Sequence, residues 1–484
     1  MSISRRDFIR RSVAGALTGA VSLWGARATA SPAREKVVVI GAGLSGLAAA
    51  YELVAAGLDV AVLEAQSRPG GRVRTLRGRF ADDLYCEAGA AQVFDNHTTT
   101  MSYAEALGVP LDPVEFKGGT VYHLRGRRLV EAPGARLEWP TRLAEGERGH
   151  TRAELWERYA GSFLRGVDQR ALDDVLRSDL ASLDQLSFSE WLRSRGASLE
   201  ALAMLRLGIP NLAGSGSDGS SALYVIREMA HRVPRKRTYI IRGGTDRLPL
   251  AFATRLGDRI QYGTEVVALE QDNSTVRITW RRNGERRTTA ADRVVCTIPF
   301  TVLRGVKVSP PFSAGKRRAI EELPYSPVVR VIVQSRRRFW RDEDLNGTAF
   351  SDLPLNSVFE RSLNQPGTRG LLESYTVGAE AQRLGKLSEA ARVAAVTTQM
   401  TTLFPSLAAL SEGGTSVVWE HEPWARGAYA YFTPGQMASL GPHLHTAEGR
   451  VHFAGCHTSA WPGWMQGALD SGRRAAREVI AASR

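Results

Sequence analysis

Cysteine is scarce in this chain: three in 484 residues, at Cys86, Cys296 and Cys456. At most one bridge can form, so a disulfide scaffold is excluded, and the spacing of the three matches no metal-ligand pattern. After the first thirty residues no apolar run approaches the roughly 20 residues that a membrane helix needs, and no stable span is expected in the mature chain. Internal repeats are missing, and the one low-complexity patch, GSGSDGSS at 214–221, reads as a loop. The formal charge is +13, of which five Arg against one Asp in residues 1–30 account for +4, leaving +9 for the rest. The Arg residues are scattered and accompany no nucleic-acid-binding module, so the surplus reads as a solvated basic surface and nucleic acid is not an expected partner.

What is present begins with an address. SRRDFIR (4–10) pairs two arginines ahead of an apolar residue, a weakly apolar Ala/Gly-rich stretch follows, and ATA ends at Ala30. This reads as a twin-arginine signal peptide over residues 1–30, with the export machinery as a partner and a periplasmic or secreted destination.

The mature chain opens with KVVVIGAGLSGLAAAYELVAAGLDVAVLEA. VVVI suits a buried parallel strand, and LSGLAAAYELVAAG has helical length and period. Between them Gly41, Gly43 and Gly46 supply a tight turn, room for a pyrophosphate, and a close helix–strand contact. The phosphate then faces a helix N-terminus. DVAVLEA carries Glu64 near its end, where a carboxylate can hold the ribose hydroxyls of a dinucleotide.

RPGGRVRT follows, and its Gly70, Gly71 and Arg72 resemble the second glycine turn that FAD-dependent amine oxidases use. From here the chain resembles the flavin monoamine oxidase and L-amino acid oxidase superfamily. The similarity recurs at YCEAGAAQ (85–92), IRGGTDRLP (241–249), GTEVVALEQ (263–271), VVCTIP (294–299), Phe339-Trp340, GAYAYFTPG (427–435) and FAGCHTSAWPGWMQGALDSG (453–472). It implies an α/β fold: an FAD-binding Rossmann-like domain from 31–110, 231–310 and 415–484, and a mixed α+β substrate domain from 111–230 and 311–414, with 150–231 largely helical.

It also implies non-covalent FAD, because Ala428 stands where vertebrate monoamine oxidases attach flavin through Cys. Besides the glycines, Glu64 and Arg72, the residues expected at FAD are Gly89, Ala90, Ala91, Gln92, Val266, Cys456, Gly463, Trp464, Met465 and Gln466. The last helix is expected to aim its N-terminus at flavin N1 and C2, where reduction places negative charge. Tyr429 and Trp464 match the aromatic pair in front of the flavin, with electron-rich faces toward an amine nitrogen.

Two positions depart from the pattern. Arg330, with eight residues between it and Phe339, replaces a lysine that holds a water beside flavin N5; Cys456 replaces an acidic residue that binds the ribityl chain. Arg330 joins Tyr429 and Trp464 as an expected catalytic residue. Gln92 stands where L-amino acid oxidases carry an Arg that pairs with the substrate carboxylate, and Tyr375 matches a tyrosine that helps bind it. With Tyr429 and Trp464 these form the expected substrate set. The implied reaction is oxidation of a primary or secondary amine to an imine, which hydrolyses to an aldehyde or ketone, with oxygen or a soluble redox protein as acceptor. Amino acid oxidation and a flavin-binding protein without turnover remain alternatives, and a homodimer is possible. Glu420, His421 and Glu422 are expected on a strand edge without a chemical role.

Overall fold

The computed structural model describes residues 34–166, 178–209, 214–231 and 236–483; the segment expected to be an export signal, residues 1–30, lies outside them. Within the compact unit that holds the described mature chain, five strands form a wholly parallel sheet in the spatial order Ile260–Gln261, Asp59–Leu63, Lys36–Ile40, Arg293–Cys296, Val451–Phe453. Val37, Val38 and Val39 are completely buried because helices and loops cover both faces, as a parallel sheet requires. The chain thus places its first strand at the centre and its last at the edge.

Two helices cover the same face. Leu44–Ala55 follows the first strand directly, and Met465–Ala482 follows the last. They meet closely at Gly472, where a Cβ would overlap the Ser45 carbonyl oxygen. Strands Glu265–Gln271, Val276–Arg282 and Glu285–Ala291 make antiparallel neighbours in a four-stranded sheet, completed by Lys307–Ser309.

A seven-stranded, mostly antiparallel sheet carries the other half of the molecule. At its heart Val328–Ser335 is buried at every position, flanked by Gly370–Val377 and Ser411–Val418. The register sets Arg330 directly opposite Tyr375. Short helices occupy much of 152–230, among them Arg152–Trp156, Phe188–Ser194, Leu199–Leu205 and Ala222–Ala230; Thr151, Ser187, Ser198 and Ser221 cap them by accepting from backbone amides. Trp419–His421 is a short 3-10 turn rather than a strand edge, and Glu422 is spent on an ion pair with Arg74 at 2.8 Å.

Candidate active site

One long cavity runs from the carboxyl end of the parallel sheet to the seven-stranded sheet. Its first end is built from backbone. Gly41 has φ +100°, and a Cβ there would come within 2.6 Å of Thr297 Oγ1. A Cβ at Gly46 would overlap the Gly41 carbonyl oxygen. Gly46 therefore does not line the cavity; it lets the helix close onto the strand. The first helical hydrogen bond runs from Leu47 N to Gly43 O, so the amides of residues 44–46 have no partner within the helix. A Cβ at Gly43 would meet nothing within 4 Å, leaving this helix start bare toward the cavity.

Glu64 closes that end. Its Oε2 accepts from Ala42 N at 2.6 Å and its Oε1 from Gln66 N at 2.7 Å, which pins the strand end to the glycine turn. Burial raises its pKa, opposed by those amide bonds. Bare amides at a helix start suit a pyrophosphate, and a buried acceptor beside them suits a ribose, so the residues present fit the nucleotide half of FAD.

The other end is built from side chains. Arg330, Tyr375, Tyr429 and Trp464 line it together with Gly463 and Met465. Gly463 has φ +82°, and a Cβ there would press on the Tyr429 ring at 3.2 Å. This turn delivers Trp464 as the cap residue of Met465–Ala482, whose first bond is Ala468 N to Trp464 O. The amides of residues 465–467 thus point outward from the helix start, where negative charge is stabilised. Trp464 Nε1 donates to Glu228 at 3.0 Å, and its ring meets Phe94 with centroids 5.0 Å apart. Burial pushes the Tyr429 hydroxyl well above its ordinary pKa, so it remains protonated.

Both cations on the cavity wall are already engaged. Arg72 donates to Ala428 O at 2.8 Å and to Cys456 Sγ at 3.4 Å. Arg330 donates to Glu87 O at 3.0 Å, faces the Tyr375 ring at 4.7 Å, and pairs at 3.1 Å with Glu373, which is fully buried and also bound by Arg361. No other Lys or Arg among the described residues lines this cavity.

Of the residues expected from sequence, Gly41, Gly43, Glu64, Arg72, Gly89, Ala90, Val266, Arg330, Tyr375, Tyr429, Cys456, Gly463, Trp464 and Met465 all line it. Ala91 and Gln92 do not. After Ala90 the chain enters the strand Val93–Phe94, paired with Thr238–Tyr239, which carries residues 91 and 92 into a separate small cleft beside Ile240, Glu360 and Arg361. Gln466 also turns away: its side chain accepts from Thr100 and donates to Asp470. Trp419, Trp424, Thr264 and Thr297 line the cavity without having been expected. A buried Trp with its Nε1 committed, here Trp419 to Ala88 O at 2.8 Å, carries no local sequence signal for such a role.

Comparison with known proteins gives the same picture. The family described as "Flavin containing amine oxidoreductase" matches residues 44–480. YobN of Bacillus subtilis (strain 168), whose name assigns it provisionally to the L-amino-acid oxidases, is 34% identical over 474 residues, 93% of this chain and 96% of its own. Wild-type putrescine oxidase bound to putrescine superposes with a TM-score of 0.79 at 24% identity, covering 92% of this chain and 99% of the other. Cyclohexylamine oxidase from Brevibacterium oxydans IH-35A does so at 0.78 and 23%, covering 93% and 100%. The chain has the amine oxidase fold and belongs to the flavin-containing amine oxidoreductase family.

Proposed function

We propose that the protein is an FAD-dependent oxidase of small primary or secondary amines that lack an α-carboxylate. The observation that carries this reading is the charge of the cavity wall: its two guanidinium groups are engaged, leaving no lining cation for a carboxylate among the described residues. The position of Gln92 no longer bears on substrate class directly, since it lies in the separate cleft.

The nucleotide would be held by the amides at the start of Leu44–Ala55 and by Glu64, the flavin ring by the turn Gly463 to Met465. FAD, when bound, supplies the two-electron acceptor for oxidation of a C–N bond. Tyr429 and Trp464 take the apolar body of the amine and present ring faces to its nitrogen. Their rings also exclude water around the reacting carbon, and Gly463 and Phe94 limit their rotation. The imine product leaves to hydrolyse in water. Ala428 lines the cavity without a nucleophile, which supports non-covalent attachment; acid precipitation should leave yellow FAD in the supernatant rather than in the pellet. The twin-arginine motif supports export, and oxygen or an extracytoplasmic redox protein is the proposed acceptor.

Amino acid oxidation is a second reading, favoured by Tyr375 on the cavity wall and by the name of the 34%-identical relative. Anaerobic stopped-flow reduction with tyramine and tyrosine separates the two. Tyramine is expected to reduce the flavin faster; a tenfold or greater advantage for tyrosine would give the site to amino acids.

A further inference from the structure

A second cavity, of about 720 Å³, shares no described lining residue with the first. It lies among the helix Ala222–Ala230, the helix Gln436–Leu444, and the segment from Thr458 to Arg474. Its walls include Arg227, Phe432, Met437, His445, Trp461 and Arg474.

Arg227 is the anomaly. The residue is 6% exposed, and its Nε is buried with no acceptor. Among the described residues its guanidinium meets the Phe432 ring, 5.9 Å from the guanidinium carbon. No described carboxylate, carbonyl or hydroxyl accepts from it. Only Nε is fully enclosed; the terminal nitrogens face the cavity without a described acceptor, and a charge on a residue this buried is normally paired.

Several other polar groups of the wall are occupied. Arg474 donates to Glu478 at 2.5 Å, to Phe453 O at 2.8 Å and to Thr458 Oγ1 at 3.0 Å. Asp470 accepts from Thr99 and Gln466. Ser459 and Ser471 donate to backbone carbonyls at 2.8 Å. His445 has its pKa lowered by burial and by Arg474. Around these lie Phe432, Met437, Leu444 and Trp461, the last stacked on His231 at 4.2 Å.

We infer that this cavity is a second ligand site, in which Arg227 receives the carboxylate of a small monoanionic acid with an aromatic or branched apolar tail. A guanidinium fork matches a carboxylate with two parallel hydrogen bonds, and the apolar wall takes the tail. One unpaired cation beside Asp470 favours a single negative charge over a phosphate. The site is independent of the amine reading, because it uses none of the same residues. Its wall from Thr458 to Trp461 leads straight into Gly463 and Trp464, so an occupant braces the turn that faces the flavin.

The test uses the FAD-loaded mature protein with phenylacetate as probe and 2-phenylethanol and inorganic phosphate as controls. Calorimetry is expected to show one phenylacetate site, no binding of either control, and no change in the flavin absorption spectrum. Arg227→Met should weaken binding at least about tenfold, the loss expected for a charged hydrogen-bonded pair. Arg227→Lys, which keeps the charge and loses the fork, should weaken it less. The inference is overturned if phenylacetate does not bind at 10 mM, if either control binds equally well, or if both variants bind like the wild type. A flavin spectral shift together with competition against the amine would place the acid in the amine site instead and overturn it too. Failure here leaves the amine reading intact, since that is judged by flavin reduction.

Discussion

At its nucleotide end the cavity is lined chiefly by the local runs Ile40 to Ser45 and Leu63 to Gln66, with Thr264 and Thr297 beside them; at its other end it is lined by Arg330, Tyr375, Tyr429 and Trp464, which come from distant segments. The first end depends on what is missing from the chain, side chains at Gly43 and Gly46, and on amides that any sequence possesses. The second depends on particular groups held by long-range partners: Arg330 by Glu373, Trp464 by Glu228, Tyr429 by the Gly463 turn. Recognition of a common cofactor can be written locally, whereas the chemistry that selects a substrate is assembled from distant segments.

The largest expected effect falls on the backbone-built end. Gly46→Ala drives a methyl group into the backbone carbonyl of Gly41, with Thr297 Oγ1 also only 3.1 Å away. The purified protein should carry no FAD, as read from the ratio of visible to ultraviolet absorbance. Retention of a full complement would show that this end tolerates side chains after all. At the other end Tyr429→Ala should keep FAD yet slow flavin reduction by roughly 10–100-fold, the scale of a misplaced substrate. An equal loss of FAD would erase the distinction between the ends.

Glu373→Gln probes the long-range support. It leaves Arg330 and Arg361 buried without their shared counter-charge, and breaking such a pair costs about 3–5 kcal/mol. Chemical denaturation should show that loss, with the spectrum of bound FAD little changed; an unaltered midpoint would mean that Arg330 is held by Glu87 O and Tyr375 alone. The smallest effect concerns Glu87, whose carboxyl is pushed up to about 7 by burial, against bonds from Thr245 and Thr75. Between pH 4.5 and 7 the folded state binds more protons at this group than the unfolded state does, so its contribution to stability falls as pH rises through that window. Glu87→Gln should therefore melt progressively higher relative to wild type from pH 5 to pH 8, by a few degrees. A pH-independent difference would remove Glu87 as the source.

This contrast also explains how much was legible in the sequence. GAGLSG and Glu64 announce themselves because strand, turn, helix and acid follow one another, and the last strand and helix repeat that grammar at 451–482. The aromatic pair and Arg330 emerged only through resemblance, since nothing near them in the chain says what they face. Gln92 was misplaced because two residues of strand pairing redirect the chain after Ala90, and sequence spacing does not report that change of direction. Glu373, the partner that commits Arg330, sits in the unremarkable run GLLESYTV, and a buried strand hides a charge whose counter-charges lie on other strands or loops. Arg227 was invisible for the opposite reason: its significance lies in having no described acceptor at all.

The parallel sheet has its first strand at Lys36–Ile40, while its edge strand, Val451–Phe453, and the helix Met465–Ala482 come more than four hundred residues later. During synthesis, the pocket cannot exist until the ribosome has made residues beyond 465 and released them from its exit tunnel. Cofactor capture therefore waits on the segment that carries Gly463 to Met465. A chain that stops a few dozen residues early already holds GAGLSG and Glu64, yet lacks the wall that closes over the ring, and remains colourless.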